Sequence, residues 1–212
     1  MLRTLIHNTL NNINLLSFYS LKKSGYLFDK GWFNSFKSKL PINKENEPIP
    51  WMTYPFIDFI PSRLNSNMKI FEYGSGNSTL WWSKRVKTII SCEHDKLWYN
   101  SLLNNLPENV TLEYREVENG NYAKKICEYV NEFDIIIIDG RDRISCAKNS
   151  LLALKKDGII IWDNSDRKEY QEGYNFLTSQ GFKRIDFIGL GPINVMSWAT
   201  SVFYKSDNCL NL

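Results

Sequence analysis

The stretch EYGSGNST, residues 72 to 79, follows a short apolar run and precedes a segment with helical periodicity. Its two glycines, Gly74 and Gly76, allow a tight turn and a close approach of the backbone to a ligand. A dinucleotide-binding fingerprint needs a third glycine at the position where this chain has Thr79. The stretch therefore predicts a ligand-binding turn between a strand and a helix, and it disfavours a nicotinamide or flavin cofactor.

Short apolar runs alternate with longer helical segments on both sides of this turn, which is the rhythm of β-α-β units. Two runs, at residues 135–138 and 159–161, are apolar at every position, as expected of central parallel strands covered on both faces. The pattern predicts an open, mostly parallel α/β sheet of seven strands with helices on both faces. The predicted strands are residues 69–73, 88–92, 110–114, 133–138, 158–162, 183–188 and 198–204, and the predicted helices are residues 78–85, 95–106, 122–131, 144–155 and 166–180.

The chain of 212 residues is long enough for one catalytic domain, which we place at residues 68–212. Residues 1–67 form a predicted helical extension and lid. Apolar residues recur at helical spacing from Leu2 to Leu16, and a basic, aromatic stretch follows from Lys22 to Lys39. The sequence leaves open whether this extension packs on its own domain, makes a homodimer contact or lies on a membrane surface.

Composition excludes several classes of protein. The chain has 26 basic and 23 acidic residues, whereas a nucleic-acid-binding domain carries a dense basic patch, so we expect no nucleic-acid partner. Its four cysteines include no C-x-x-C pair, which disfavours a zinc cluster or a disulfide framework. No run of about 18 apolar residues predicts a transmembrane helix, and no secretion signal is evident, so we expect a cytoplasmic location.

An acidic residue closes the second predicted strand. Glu93 lies 19 positions after Gly74, the separation at which a carboxylate in this kind of fold reaches the two hydroxyls of a ribose. The spacing therefore predicts a cofactor that carries a nucleoside.

Together, the acidic-x-Gly-x-Gly turn, Glu93 and the seven-strand pattern resemble a class I S-adenosylmethionine-dependent methyltransferase over residues 68 to 204. The resemblance implies that the turn faces the methionine part of the cofactor, that Glu72 helps to hold its amino group, and that Glu93 holds the ribose. Adenine would lie near the end of the third strand, where Glu116, Val117 and Glu118 are alternatives. The implied cofactor-binding residues are Glu72, Gly74, Ser75, Gly76, Asn77, Glu93, Glu116 and Asp139.

Polar side chains also close the fourth and fifth predicted strands. Asp139, Asp163 and Asn164 are expected to direct three oxygens into one cleft, a set that suits Mg²⁺. The layout resembles the metal site of catechol-type and macrolide-type O-methyltransferases, although the following Ser165-Asp166-Arg167 departs from that pattern. Asp139 and Asp163 are the predicted catalytic residues, because a carboxylate or a bound cation activates an acceptor hydroxyl. The plainer alternative is that these residues cap helices.

The sequence also indicates the class of acceptor. The Asn/Asp-Pro-Pro-Tyr type of sequence found in amino-methylating relatives is absent after the fourth strand, where Ile138-Asp139-Gly140-Arg141 stands, so oxygen is the favoured acceptor atom. Arginines recognise carboxylates and phosphates, so a small-molecule or glycan acceptor with an acidic group is predicted. The predicted acceptor-binding residues are Arg141, Arg143, Asn164 and Arg167, with Trp51 and Tyr54 on the lid.

Other functions remain as alternatives. An aminopropyltransferase would use the same fold with a decarboxylated cofactor. A catalytically idle cofactor-binding module would keep the fold without turnover. A nicotinamide-dependent oxidoreductase is disfavoured by Thr79 and by the lack of a Tyr-x-x-x-Lys pair.

Overall fold

A seven-stranded sheet forms the centre of the protein. The computed structural model describes residues 15 to 212. The strands are β1 (Lys69–Tyr73), β2 (Thr88–Glu93), β3 (Val110–Tyr114), β4 (Phe133–Ile138), β5 (Leu154–Asp163), β6 (Lys183–Gly189) and β7 (Trp198–Tyr204). They lie in the order β3-β2-β1-β4-β5-β7-β6, and all neighbouring pairs are parallel except those that involve β7. The predicted open α/β sheet is confirmed.

The strand order fixes where a ligand can bind. The chain leaves β1 toward β2 on one side, and β4 pairs with β1 on the other side. At such a reversal the connections run in opposite directions, which opens a crevice at the carboxyl ends of the strands. β4 is buried at every position, as its run of four isoleucines predicts for a central strand. The residues that follow β1, β2, β4 and β5 therefore meet at one edge.

Helices cover both faces of the sheet. They are α1 (Leu15–Lys23), α2 (Tyr26–Asp29), α3 (Trp32–Ser38), α4 (Tyr54–Phe59), α5 (Asn77–Ser83), α6 (Lys96–Leu102), α7 (Asn121–Lys124), α8 (Arg143–Ser150) and α9 (Gln171–Ser179). Several are shorter than predicted. The helix expected at residues 144–155 ends at Ser150, because the chain enters β5 at Leu154, where it pairs with Phe133 of β4.

The segment before β1 is part of the core. Tyr54, Phe56 and Ile60 are fully buried, and they pack with Ile70 of β1 and Trp82 of α5 on one face of the sheet. The predicted boundary at residue 68 thus falls inside a continuous hydrophobic cluster. Residues from Ile49 onward therefore stabilise the sheet itself.

The helices α1 to α3 form an arm beside the sheet. No residue of α1 is buried, whereas Trp32 of α3 donates its indole N–H to the carbonyl of Asn194 at 2.8 Å. The predicted amphipathic helix from Leu2 to Leu16 lies almost wholly outside the described residues. None of the helices in the described part of the chain is long and apolar enough to cross a membrane.

The packing of α4 predicts a large effect of one substitution. Phe56→Ala removes a fully buried ring and leaves a cavity, so the free energy of unfolding should fall by about 3–5 kcal/mol in urea titrations. Phe18→Ala is the matched control, because its ring is 57% exposed, and it should cost less than about 1 kcal/mol. Equal effects of the two substitutions would show that α4 is not part of the core.

Candidate functional site

A cleft of about 670 Å³ lies at the carboxyl edge of the sheet. Its floor is formed by residues that follow β1, β2, β4 and β5, and its rim includes Lys39 to Pro41 of the arm and Trp51. The volume lies within the range of small-molecule sites. Because the cleft occupies the predicted crevice between β1 and β4, it is the candidate functional site.

The glycine turn after β1 brings the backbone close to the neighbouring strand. Gly74 has φ +98°, and a Cβ atom there would lie 3.4 Å from the carbonyl oxygen of Asp139. Gly76 has φ +152°, and its N–H donates to the hydroxyl of Thr79 at 3.0 Å. Thr79 therefore holds the turn in place by its side chain, at the position where a dinucleotide-binding fingerprint would have its third glycine.

Glu72 supports this turn from below. Its carboxylate is 1% exposed and accepts hydrogen bonds from the hydroxyls of Ser78 at 2.6 Å, Thr79 at 2.5 Å and Ser91 at 2.7 Å. Burial raises the pKa of Glu72, while the three hydroxyls favour its ionised form. The structure gives Glu72 the role of fixing the turn. Contact with a cofactor amino group remains a prediction.

Glu93 is held rigidly at the end of β2. Its Oε2 accepts from the hydroxyl of Ser75 at 2.7 Å, and its Oε1 accepts from the backbone N–H groups of His94 and Asp95, both at 2.8 Å. The carboxylate lines the cleft next to the glycine turn. An acid fixed by backbone donors at this place fits the ribose-binding role implied by the sequence. Asn77 also lines the cleft and donates to the carbonyl of Pro41 at 2.8 Å.

Trp98 also lines the cleft, although no sequence motif predicts it as a site residue. The side chain is 44% exposed, its indole N–H donates to the carbonyl of Ser75 at 2.9 Å, and its ring lies over Gly76. The available signal was Asp95, whose carboxylate caps α6 by accepting from the N–H of Trp98 at 3.0 Å. A residue in the first turn of that helix points back toward the strand ends.

Two acids and one arginine form the floor of the cleft below the ends of β4 and β5. Nη2 of Arg143 donates to Oδ1 of Asp139 at 3.1 Å, and Nη1 donates to the carbonyl oxygen of Asp163. Oδ1 of Asp163 accepts from the indole N–H of Trp198 at 3.0 Å and from the hydroxyl of Thr200 at 2.5 Å. Asp139 and Asp163 thus lie together around one buried guanidinium.

Burial controls the protonation of this pair. It raises the pKa of Asp139, and Arg143 opposes the rise. It also raises the pKa of Asp163, and the charge of Asp139 raises it further. The pair therefore retains a proton in a range where ordinary aspartates are ionised, and Asp139, which contacts Arg143, is the more acidic partner.

The arrangement gives no support to the predicted Mg²⁺ site. Asp139 contacts the guanidinium of Arg143, so a permanent cation already lies at one of the predicted ligands. No group of three or more His, Cys, Asp or Glu in the part of the chain that the structure describes is placed to hold a metal ion. Asn164, the third expected ligand, lines the cleft with φ +51°. Arg143 is the positive charge that the structure shows at Asp139.

Three predicted site residues have surroundings that differ from those expected. Arg143 was expected to contact the acceptor, but it is only 7% exposed and its donors are engaged by Asp139, Gly140 and Asp163. Tyr54 was expected on a lid, but it is fully buried because α4 packs into the core. Glu116 was expected near adenine, but it is exposed and lines a separate depression beside β3.

Two other predicted arginines do lie at the cleft. Arg141 and Arg167 are exposed and line it together with Trp51. Among the described residues, no carboxylate oxygen lies within 4.0 Å of either guanidinium. Both side chains are therefore available to an anionic group in the cleft.

Comparison with known proteins identifies the fold. No protein-family model and no curated protein matches the sequence. A precorrin-6y C5,15-methyltransferase from Geobacter metallireducens matches the structure with a TM-score of 0.59 and 14% identity, covering 81% of this chain and 96% of its own. The chain has the methyltransferase fold.

Two further structures share this methyltransferase fold. A Streptococcus mutans protein described as a methyltransferase and solved in complex with SAH has a TM-score of 0.52 and 17% identity, over 72% of this chain and 99% of its own. Spermidine synthase from Thermotoga maritima has a TM-score of 0.52 and 19% identity over 70% of this chain. The match covers 56% of that synthase, so this chain spans little more than half the length of the synthase.

The acid pair predicts how folding stability depends on pH. An unfolded aspartate ionises near pH 4, whereas the folded pair still holds a proton there. Above about pH 4 the folded state therefore binds more protons than the unfolded state at the same pH. Stability should therefore fall with rising pH across this range, and Asp163→Asn should reduce the fall by at most about 1.4 kcal/mol per pH unit.

Urea unfolding at about pH 5 and at about pH 8 measures this difference. Asp207→Asn, at an exposed position, is the control and should leave the slope unchanged. A pH dependence that is the same in the wild type and in Asp163→Asn would mean that Asp163 does not hold the proton.

Proposed function

We propose that this protein transfers the methyl group of S-adenosylmethionine to a hydroxyl of a small molecule or glycan that carries an acidic group. The observation that carries the proposal is the cleft itself. A rigidly held acid, Glu93, lines one part of it, and a pair of buried acids with raised pKa values, Asp139 and Asp163, lines another. The methyltransferase fold supports the same activity.

The residues of the cofactor half fit S-adenosylmethionine. The positive φ at Gly74 lets the backbone pass close to a ligand without a side chain in the way, and Glu93 offers two carboxylate oxygens next to Ser75. Trp98 covers the turn from the solvent side. The cofactor, when bound, supplies a methyl group on a sulfonium, which is electrophilic without further activation.

The acid pair activates the acceptor in this proposal. A hydroxyl is a poor nucleophile at neutral pH, so a base must take its proton as it attacks. Arg143 keeps Asp139 the more acidic partner, which makes its carboxylate the base, and Asp163 stays protonated beside it. Trp198 and Thr200 fix the orientation of Asp163 through Oδ1. The proton from the acceptor hydroxyl thus moves to the carboxylate of Asp139.

The arginines favour an acidic acceptor over a cationic one. Arg141 and Arg167 offer guanidinium donors at the cleft without a carboxylate partner among the described residues. A carboxylate or phosphate on the acceptor would pair with them and orient the reacting hydroxyl. A polyamine, the acceptor class of an aminopropyltransferase, would be repelled by the same charges.

The cofactor assignment is tested by calorimetric titration with S-adenosylmethionine and with its demethylated product. Glu93→Ala should weaken binding about 100-fold or more, because two charge-assisted hydrogen bonds to the ribose are lost. Glu116→Ala is the matched control, because that side chain lies outside the cleft, and its affinity should equal that of the wild type.

An unchanged affinity of Glu93→Ala would refute the ribose assignment. If the wild type binds neither compound, the methyltransferase proposal fails, and titration with reduced nicotinamide cofactor then tests the oxidoreductase alternative. Binding of the cofactor without methyl transfer to any sugar acid, sugar phosphate or neutral sugar would favour a catalytically idle module.

The acceptor assignment is tested with pairs of hydroxylated compounds that differ in one acidic group, namely sugar acids and sugar phosphates beside their neutral parent sugars. Formation of the demethylated cofactor is the readout. Arg141→Gln should raise the KM for an acidic acceptor about 10-fold to 100-fold and leave cofactor affinity intact. Faster turnover of the neutral compounds, or a joint loss of cofactor and acceptor binding in Arg141→Gln, would contradict the proposal.

A further inference from the structure

The arm before residue 41 carries an unusual number of exposed apolar side chains. Five aromatic rings on α1 to α3 are between 41% and 60% exposed, namely Phe18, Tyr19, Tyr26, Phe28 and Phe36. Leu15, Leu21 and Leu40 are about half exposed among them. We call the exposed side chains of residues 15–40 the arm surface. So many exposed apolar side chains in one short segment point to an interaction site, because large exposed apolar areas on proteins mark such sites.

The arm surface is also the basic part of the molecule. Residues 15–40 contain five lysines and one aspartate, whereas residues 41–212 contain 20 basic and 22 acidic residues. Lys30 pairs with Asp58, but Lys22, Lys23, Lys37 and Lys39 have no carboxylate within 4.0 Å among the described residues. Positive charge and exposed apolar area thus coincide on one arm.

The arm is fixed to the body next to the cleft. The indole N–H of Trp32 donates to Asn194, the hydroxyl of Tyr26 donates to Asp58 at 2.9 Å, and the hydroxyl of Ser35 donates to the carbonyl of Ile42 at 2.6 Å. Lys39 and Leu40, at the end of the arm, line the cleft. A partner bound to the arm surface would therefore lie beside the cleft opening.

We propose that the arm surface binds an anionic lipid bilayer. Lysines attract the negative headgroups, and aromatic and leucine side chains enter the boundary between headgroups and acyl chains. A polyanion such as a nucleic acid would match the lysines but would leave the leucines exposed to water. A second copy of the arm would bring like charges together, which disfavours a homodimer through this surface. Charge and apolar area together therefore fit a bilayer best.

Vesicle flotation tests the proposal with the full-length protein, without cofactor or acceptor. The protein should float with vesicles of phosphatidylcholine mixed with phosphatidylglycerol, and should not float with phosphatidylcholine alone. Lys22→Gln combined with Lys23→Gln should lower the partition constant about 30-fold, since each lysine near an anionic surface contributes about 1 kcal/mol. Phe18→Ala combined with Leu21→Ala should lower it as well, because exposed apolar area is lost.

The matched control is Lys156→Gln combined with Lys205→Gln. These are two exposed lysines, and Lys156 lies at the opposite end of β5 from Asp163. This variant should bind vesicles as the wild type does, and circular dichroism should show all variants folded. Equal losses of vesicle binding in the two lysine variants would mean that binding depends on the total charge of the protein, and this result would overturn the proposal. The proposal would also fail if the wild type did not float with anionic vesicles, or if size-exclusion chromatography showed a dimer that Phe18→Ala with Leu21→Ala dissociates.

The experiment stands apart from the proposed function. It measures binding to lipid without any reaction, so loss of methyl transfer would not change its result. Conversely, the residues replaced on the arm lie outside the cleft, and cofactor affinity in the calorimeter should be the same in these variants as in the wild type.

Discussion

The guanidinium of Arg143 is the contact on which the carboxyl edge of the sheet depends. β4 and β5 end side by side, with Ile138 of β4 paired with Trp162 of β5. Arg143 donates to the carbonyl oxygens of Gly140 at 2.9 Å, Asp139 at 3.2 Å and Asp163, and to a carboxylate oxygen of Asp139. A buried cation is costly unless its donors are satisfied, and here the acids and carbonyls of the strand ends satisfy them. One side chain thereby fixes the end of both strands.

The same cation determines how the two acids share charge. Burial raises the pKa of both Asp139 and Asp163, and the charge of Arg143 lowers both. Arg143 contacts Asp139, while Asp163 receives neutral donors from Trp198 and Thr200. Two chemically identical side chains thus acquire different proton affinities from their surroundings. Ionisation of these buried acids destabilises the folded state. Perturbed pKa values of this kind are common at sites that need a proton acceptor.

Features that depend on local sequence were predictable, and those that depend on tertiary packing were not. The glycine turn and Glu93 follow from the spacing of residues around two strands, and the acids at the strand ends follow from the strand pattern. The part played by Arg143 was not predictable, since a basic residue near acids is equally consistent with contact to substrate. Tyr54 sits in a short segment whose burial requires knowing that α4 covers the sheet. Trp98 was not predicted at the cleft, because an aromatic ring in a helix is equally consistent with packing in the core.

The floor and the rim of the cleft are built in different ways. The floor consists of turns that follow parallel strands, so its geometry is tied to the sheet and to the packing of its core. The rim includes Lys39 and Leu40 of the arm and Trp51, which precedes the fully buried Met52. The arm is joined to the body by hydrogen bonds of Tyr26 and Trp32 and by the packing of Trp32 against the core, whereas its exposed side chains can vary without disturbing the sheet. The fold therefore lets side chains at the rim of the cleft change while the turns that carry Glu72 and Glu93 keep their geometry.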